Sequence, residues 1–109
     1  MISWQEFEKV ELRVGTIVEV LDFPKARKPA YKMKIDFGEF GIKQSSAQIT
    51  GLYSKEDLLN KQVIAVINFP PKNIAGFTSE CLVTGVVDGD SPVVLLQPER
   101  KVKNGLRIA

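Results

Sequence analysis

Few side chains in this sequence could take part in covalent chemistry. Its 109 residues include one cysteine, Cys81, and no histidine. Without histidine there is no imidazole base to activate a serine or cysteine nucleophile and no histidine-based metal site. A lone thiol cannot hold a zinc ion, and no glycine-rich phosphate-binding loop occurs. We therefore expect a binding protein and no enzyme, with no metal and no organic cofactor.

Polar groups suited to recognition are concentrated in residues 68–80. This segment, NFPPKNIAGFTSE, contains Asn68, Lys72, Ser79 and Glu80. Amide and hydroxyl groups can bond to base edges or sugars, and the two prolines stiffen the segment, so we predict that these four residues bind RNA. The Glu80 carboxylate suits a base amino group or a backbone amide better than a phosphate. The alternative is a structural loop, in which the same side chains hold backbone groups.

The basic residues are segregated, although the net charge is only +2. Five of them fall in residues 25–34, a window without an acid, and four more fall in residues 100–107. Segregated positive charge can attract a polyanion, so we predict that Lys32, Lys34 and Lys43 contact phosphates. A solvated basic surface is the alternative. Tyr31 could stack a base, but its alternation with the lysines favours the core.

Small polar residues occupy one predicted strand, Gln44-Ser45-Ser46-Ala47-Gln48. Small side chains let another backbone approach, which suits an added peptide or a dimer seam; a packed polar ladder is the alternative. Six aromatic rings exceed what one small core easily hides: Trp4, Phe7, Phe23, Phe40, Phe69 and Phe77. We assign six residues to a peptide-binding or dimer surface: Gln44, Ser45, Ser46, Gln48, Phe69 and Phe77. Cys81 begins an apolar run and is expected to be a small buried hydrophobe.

The periodicity predicts mostly strands. A helix is expected over residues 4–9, and a second runs from the N-cap Ser54 to Leu59, where Asn60 ends it. Strands are predicted over residues 12–20, 31–37, 42–49, 63–67, 80–87 and 93–96. In the first of them, alternation puts Val14, Val18 and Val20 on one face, and Gly15 and Ile17 on the other, and Gly15 is a candidate position for a bend or bulge.

This order predicts one mainly β domain over residues 1–109. A five-stranded Greek-key barrel with short helices, the OB-fold, fits it best; an SH3-like barrel or a small sandwich also fits. No apolar run is long enough to span a membrane, and the start lacks a signal peptide. With a single cysteine, these features lead us to expect a cytoplasmic protein that does not insert into membranes.

Several motifs resemble one family. Residues 68–80 resemble the hallmark of the tRNA-binding domain family, whose pattern is matched by Asn68, Pro71, Gly76, Ser79 and Glu80. LRVGTI over residues 12–17 resembles its opening strand, and KQSSAQIT over residues 43–50 resembles its branch of stand-alone secretion chaperones, the CsaA type. The wider family usually has Gly-Met where this chain has Cys81-Leu82. The resemblance covers about residues 7–109.

The resemblance implies an OB-fold homodimer. In the wider family it implies binding of tRNA or related RNA. In the CsaA branch it implies binding of unfolded or presecretory polypeptides during protein export, with the secretion ATPase as a partner. Two functions therefore follow, a chaperone for polypeptides and, as the alternative, a structure-specific RNA-binding protein acting in translation.

Overall fold

The computed structural model describes all residues, Met1–Ala109. Its helices are α1 (Trp4–Glu8) and α2 (Lys55–Leu58), with a 3-10 turn at Gly38–Phe40. Its strands are β1 (Leu12–Asp22), β2 (Tyr31–Asp36), β3 (Ile42–Ala47), β4 (Gln62–Val66), β5 (Lys72–Ile74), β6 (Phe77–Ser79), β7 (Leu82–Val83), β8 (Gly85–Val86) and β9 (Val94–Leu95). None of the helices has the length and apolar character that crossing a membrane requires.

The main sheet has five strands in the order β3-β2-β1-β4-β7. Every neighbouring pair in it is antiparallel, so its two outer strands, β3 and β7, run in the same direction. The sheet curls into a nearly closed barrel of the OB-like kind, as the strand order predicts. Two small hairpins, β5–β6 and β8–β9, flank the gap between β3 and β7.

A β-bulge in β1 corrects the predicted alternation. The pairing of β1 with β2 shifts between Ile17 and Glu19, so Val20, which alternation places on the face opposite Ile17, packs against the same core as Ile17. Strict alternation was therefore wrong, because a bulge inserts one extra residue and exchanges the faces beyond it. Gly15 also faces the core, where an added Cβ would lie 2.6 Å from a methyl carbon of Ile35.

The core lies between the curled strands and α2. Its fully buried apolar side chains include Ile17 of β1, Ile35 of β2, Phe37 just after β2, Leu58 of α2 and Val63 of β4. Tyr31 packs against this core, and its hydroxyl donates to the Tyr53 carbonyl at 2.8 Å. The core position that its alternation favours is confirmed.

The helix caps agree with the sequence. Ser3 and Glu6 form a reciprocal capping box at α1, and Ser54 and Asp57 form one at α2. Asn60 follows α2 with a φ of 69°. This left-handed conformation suits asparagine and ends the helix as predicted.

Two segments differ from the predicted elements. Residues 68–80, expected to be a loop, contain the hairpin β5–β6, whose turn is Ala75-Gly76 with φ values of 49° and 84°. The predicted strand over residues 80–87 is interrupted at Thr84, because β7 pairs with β4 whereas β8 pairs with β9.

The C-terminal segment completes the edge of β1 that β2 leaves free. The Val14 amide donates to the Leu106 carbonyl at 3.0 Å, and the Gly105 amide donates to the Val14 carbonyl at 2.7 Å. The Gln62 side chain also holds this segment through both backbone groups of Val102. Buried backbone groups need partners, and this segment supplies them to the part of β1 that does not pair with β2.

Candidate functional site

A large groove follows the seam where the barrel does not close. Its volume is about 1160 Å³. One wall is the end of β3 and the residues after it, 46–49, and the opposite wall is residues 82–85. The rest of the lining is Phe23, Ala26, Arg27, Lys28, Ala30, Lys72, Ile74, Ala75, Val87 and Val93.

The groove combines an apolar lining with basic groups. Eleven of its 18 lining residues are hydrophobic. Arg27, Lys28 and Lys72 are its charged residues, and none of the lining residues is acidic. Such a surface can bury apolar side chains and attract negative charge at the same time.

A smaller cavity of about 380 Å³ adjoins the groove. The two share Ser46, Lys72, Ile74 and Leu82. Phe69, which is 54% exposed, lines the smaller cavity beside Pro70. The stiff Pro-Pro segment therefore presents an aromatic ring next to the open seam.

The seam is closed at one end by the predicted Ser-Glu pair. The Glu80 amide donates to the Gln44 carbonyl at 2.8 Å, and the Glu80 carboxylate accepts from the Gln44 amide at 3.0 Å. The Ser46 amide donates to the Ser79 hydroxyl at 3.3 Å. Side chains thus take the place of a neighbouring strand along this part of β3.

Asn68 also bonds within the chain. Its side-chain oxygen accepts from the Glu11 amide at 3.0 Å, and its amide group donates to the Lys9 carbonyl at 2.7 Å. It thereby fastens the end of β4 to the connection between α1 and β1. The structural alternative raised for residues 68–80 accounts for these contacts of Asn68, Ser79 and Glu80; their contact with RNA stays a prediction.

The three lysines predicted to bind phosphate have different surroundings. The Lys32 ammonium lies 5.5 Å from the centre of the Phe23 ring and 5.9 Å from that of Phe77, a cation–π arrangement. Lys34 is exposed and forms an ion pair with Glu19 at 3.5 Å. Lys43 is partly buried on β3.

The predicted peptide-binding or dimer residues are separated by the structure. Ser46 and Gln48 line the groove, and Phe77 packs edge-to-face on Phe23, another lining residue. Ser45 is not on any surface: it is 1% exposed, and its hydroxyl donates to the Cys81 carbonyl at 3.1 Å. Alternation along β3 points the Ser45 side chain into the core. The sequence did not indicate this position, because serine is a polar residue.

Gln44 is partly buried, and its side-chain amide donates to the Thr78 carbonyl of β6 at 2.8 Å. This bond joins β3 to the β5–β6 hairpin. The polar strand thus fixes one wall of the groove.

Some of the six aromatic rings are exposed and others are buried. Phe23 is buried, whereas Trp4 is 82% exposed and Phe40 lies at the surface under the Arg13 guanidinium. Phe7 is partly buried. The expected exposed rings therefore occur, but they do not form one patch with the groove.

The two basic windows lie at opposite ends of β1. Asp22, at the end of this strand, pairs with Tyr31 of the first window, whereas Arg13 near its beginning forms a bridge with Arg107 of the second. At the rise of an extended strand these positions are about 30 Å apart. The groove therefore receives basic groups from the first window, together with Lys72.

Cys81 behaves as the predicted small hydrophobe. It is buried, and burial raises the pKa of its thiol from 9.0 to about 11. The thiol is therefore neutral at ordinary pH and is a poor nucleophile. No cluster of side chains suited to metal binding occurs in the structure.

Sequence reasoning missed the apolar half of the groove. Ile49, Ile74, Val83 and Val93 come from four separate parts of the chain. Each looks like an ordinary core residue in the sequence. Their shared position depends on where β3 and β7 face each other, and no local pattern carries that information.

The fold and the groove define a small OB-like barrel with an open, basic-rimmed surface. The family model described as "Putative tRNA binding domain" matches residues 12–107. This chain belongs to that family, as its motifs predicted.

Solved structures of CsaA chaperones are similar over the full chain. The chaperone CsaA from Bacillus anthracis is 50% identical with a TM-score of 0.95, covering 100% of this chain and 99% of that one. The CsaA chaperone protein from Picrophilus torridus is 55% identical with a TM-score of 0.93, covering 100% of both chains. The resemblance to the CsaA branch is thereby confirmed.

The similarity extends to domains of larger enzymes. A methionine–tRNA ligase from Thermococcus onnurineus is 40% identical over 107 residues, which are 98% of this chain and 14% of that protein. This chain thus spans about a seventh of the length of that curated relative. In such ligases the matching domain is a small part of a much longer chain.

Proposed function

We propose that this protein is a cytoplasmic chaperone that binds unfolded or presecretory polypeptides as a homodimer. The observation that carries the proposal is the apolar groove with its basic rim. Unfolded chains expose apolar side chains together with unpaired backbone groups, and a groove of this size can shelter a short stretch of them. The similarity to CsaA chaperones supports the same function. A role in protein export, with the secretion ATPase as a partner, belongs to the proposal.

Binding of a permanently unfolded protein tests this function. A reduced, carbamidomethylated reference protein is titrated against the native chain and against Val87→Glu, which places a charge at an exposed groove position. We expect at least a fivefold loss of affinity, because the charge must be desolvated when an apolar segment binds. Leu59→Glu is the control, since Leu59 is also an exposed apolar residue but lies outside the groove. Equal affinities of both variants and the native chain would contradict the proposal.

The proposed homodimer is tested by measuring the mass of the protein in solution. Apolar side chains remain exposed away from the groove lining, including the cross-strand pair Val86 and Val94 and the ring of Trp4. Contiguous apolar surface commonly marks an interface. Sedimentation equilibrium is expected to give twice the chain mass of 12.1 kDa. A monomer at every concentration would contradict this part of the proposal.

Structure-specific RNA binding in translation is the second candidate. It is favoured by the basic groups at the groove rim and by membership of the tRNA-binding domain family. Neutralising about four to six phosphates should give a log–log dependence of affinity on salt with a slope of about −3 to −5. Binding of an apolar polypeptide should change little with salt, or strengthen. Titrating one sample with tRNA and with the unfolded protein at two ionic strengths separates the candidates.

Paired charge reversals locate the RNA site. Lys32→Glu with Lys34→Glu is expected to weaken tRNA binding by at least tenfold, because two attractive contacts become repulsive. Lys101→Glu with Lys103→Glu changes charge equally at the other end of β1 and serves as the control. Unchanged tRNA affinity in the first variant, with circular dichroism showing a native fold, would remove Lys32 and Lys34 from the site.

A further inference from the structure

One asparagine in the C-terminal segment is followed by glycine. The chain has four asparagines, and Asn104 is the only one that precedes a glycine, Gly105. Glycine has no Cβ to hinder its own amide nitrogen, so this nitrogen can reach the side-chain carbonyl carbon of the asparagine before it. Attack at that carbon is the first step of spontaneous deamidation. Asn104 is therefore the asparagine of this chain at which the reaction meets the least steric hindrance.

The folded chain bonds both groups that the reaction needs. The Asn104 side-chain oxygen accepts from the Thr16 hydroxyl at 2.7 Å and from the Gln62 side-chain amide at 3.1 Å. Gly105, whose amide must lose its proton, is buried, and this amide donates to the Val14 carbonyl at 2.7 Å. We call these partners, the two side chains and the Val14 carbonyl, the C-terminal clasp. Ring closure must break these bonds, so we expect the folded state to suppress it.

Backbone bonds fix the orientation of the Gln62 side chain. Its Oε1 accepts from the Val102 amide at 3.1 Å, and its Nε2 donates to the Val102 carbonyl at 2.7 Å. The atom of Gln62 that faces Asn104 is therefore a donor, so Asn104 presents its oxygen and not its amide group. The C-terminal clasp thus holds the carbonyl group that the reaction attacks.

The backbone around Asn104 has no room for an additional carbon. An added Cβ on Gly38 would lie 2.5 Å from the Asn104 backbone oxygen, and an added Cβ on Gly105 would lie 2.6 Å from the Phe37 backbone oxygen. On its other side the segment is bonded to the backbone of β1. A main chain that is longer by one atom cannot keep this close packing and the bonds to β1 together.

We propose that Asn104 is a site of spontaneous deamidation and that the C-terminal clasp controls its rate. The reaction proceeds when residues 102–108 open locally from β1. The deprotonated Gly105 nitrogen bonds to the Asn104 side-chain carbonyl carbon, the bond from that carbon to the amide nitrogen breaks, and ammonia leaves with the proton that Gly105 lost. Water then opens the succinimide ring at either of its carbonyl carbons, which gives aspartate or isoaspartate.

The two products have different consequences for the fold. Aspartate keeps the length of the backbone, and its carboxylate can accept from Thr16 and Gln62 as the asparagine oxygen does. Isoaspartate adds one carbon to the main chain, which shifts the following residues relative to β1. The bonds to Val14 and Leu12 cannot all form again, so this edge of β1 is left without its partner. Formation of isoaspartate therefore converts a transient opening into a permanent one, whatever ligand the groove binds.

Incubation of the full chain at neutral pH tests the site. Ion-exchange chromatography separates the product that has gained a negative charge, and peptide mapping with enzymatic isoaspartate methylation locates it. A synthetic peptide of residues 100–109, which has no clasp, gives the unprotected rate. We expect the full chain to react at Asn104 at least tenfold more slowly than this peptide, but faster than at its other asparagines. Asp88-Gly89 can also form isoaspartate, but without a change of charge, so the two sites are distinguished.

Variants show whether local opening controls the rate. Gln62→Ala removes three bonds to the C-terminal segment and is expected to raise the rate at Asn104 at least tenfold. Thr16→Val keeps the shape of the side chain, removes one bond and is expected to raise the rate at least threefold. Glu80→Ala is the matched control, because it removes a bond to β3 and none to the C-terminal segment. Its rate should equal that of the native chain.

Hydrogen exchange of the isolated isoaspartate form shows whether the segment detaches. The Val14 amide donates to the Leu106 carbonyl in the native chain, and it is expected to exchange at least tenfold faster in this product. The Glu80 amide, which is bonded to Gln44 on β3, is the internal control. An unchanged Val14 rate would contradict detachment.

The rates at Asn104 can overturn the proposal in four ways. A full chain that reacts as fast as the peptide would show that the C-terminal clasp gives no protection. Equal rates in the native chain, Gln62→Ala and Thr16→Val would show that the clasp does not control the reaction. Equal acceleration by Gln62→Ala and Glu80→Ala would replace local opening by global unfolding. No product at Asn104 in any of these proteins, after complete conversion of the peptide, would remove the site.

Discussion

Glu80 pairs with Gln44 through both its backbone and its side chain. Its amide donates to the Gln44 carbonyl at 2.8 Å, while its carboxylate accepts from the Gln44 amide at 3.0 Å. One residue thus satisfies both backbone groups of a residue on the sheet edge. A carboxylate bonded to an amide is a strong, charge-assisted pair. The Ser-Glu element of the hallmark therefore fixes where the barrel closes and where the seam begins to open.

Removing this carboxylate should destabilise the barrel. Glu80→Ala leaves the partly buried Gln44 amide without its partner and is expected to lower the free energy of unfolding by about 1–3 kcal/mol, measured by urea denaturation. Glu80→Gln keeps an acceptor and should lose less. Glu39→Ala, an exposed carboxylate in the 3-10 turn, is the control. A Glu80→Ala variant as stable as this control would show that the bond contributes nothing.

Asn68 should also be needed for stability. Asn68→Ala breaks the bonds to the Glu11 amide and the Lys9 carbonyl, and we expect a loss of about 1–2 kcal/mol, limited because water can reach these groups. Asn68→Asp keeps the acceptor, so its free energy of unfolding should lie between that of the native chain and that of Asn68→Ala. Thermal unfolding measures both variants. No loss in Asn68→Ala would contradict the structural role, and the tRNA affinity of the folded variant tests the predicted RNA contact separately.

A substitution in the β5–β6 turn should increase the stability of the protein. Ala75 has a φ of 49° and precedes Gly76 at 84°, a pair of left-handed residues that suits Asn-Gly. Ala75→Asn is expected to raise the free energy of unfolding by about 0.5–1 kcal/mol, because alanine is strained there. Ala75→Val should lower it by about 1–2 kcal/mol, since a β-branched side chain tolerates this conformation least. Urea denaturation of the three proteins gives the order, and the reverse order would contradict the turn.

Stability should fall at alkaline pH because of Cys81. Burial raises the pKa of its thiol from 9.0 to about 11 in the folded chain. Above pH 9 the unfolded chain releases this proton while the folded chain keeps it, so the folded state binds more protons and stability declines as pH rises. We expect a loss of about 2 kcal/mol between pH 9 and 11, absent in Cys81→Ala. The same slope in both proteins would assign it to other groups.

The local pattern was sufficient for much of the fold. Both capping boxes, the end of α2 at Asn60 and the alternating strand β2 were predictable, because each depends on residues within a few positions of one another. The hairpin β5–β6 was not, since its three-residue strands are too short to show a period. The bulge in β1 lies between Ile17 and Glu19 and not at Gly15, where it was expected. Its position was not predictable, because Val18, which is exposed, is as apolar as Ile17 and Val20, which face the core.

The sequence by itself determined the class of chemistry and the family. The absence of histidine excluded imidazole catalysis, and the motif from Asn68 to Glu80 placed the chain among tRNA-binding domains. Tertiary structure decided what those residues do. It turned Ser45 inward, bonded Glu80 to Gln44 and placed Gln48 and Thr84 in the lining of one groove. These relationships join strands that are far apart in the chain, and they depend on how far the sheet curls, which no short stretch of sequence encodes.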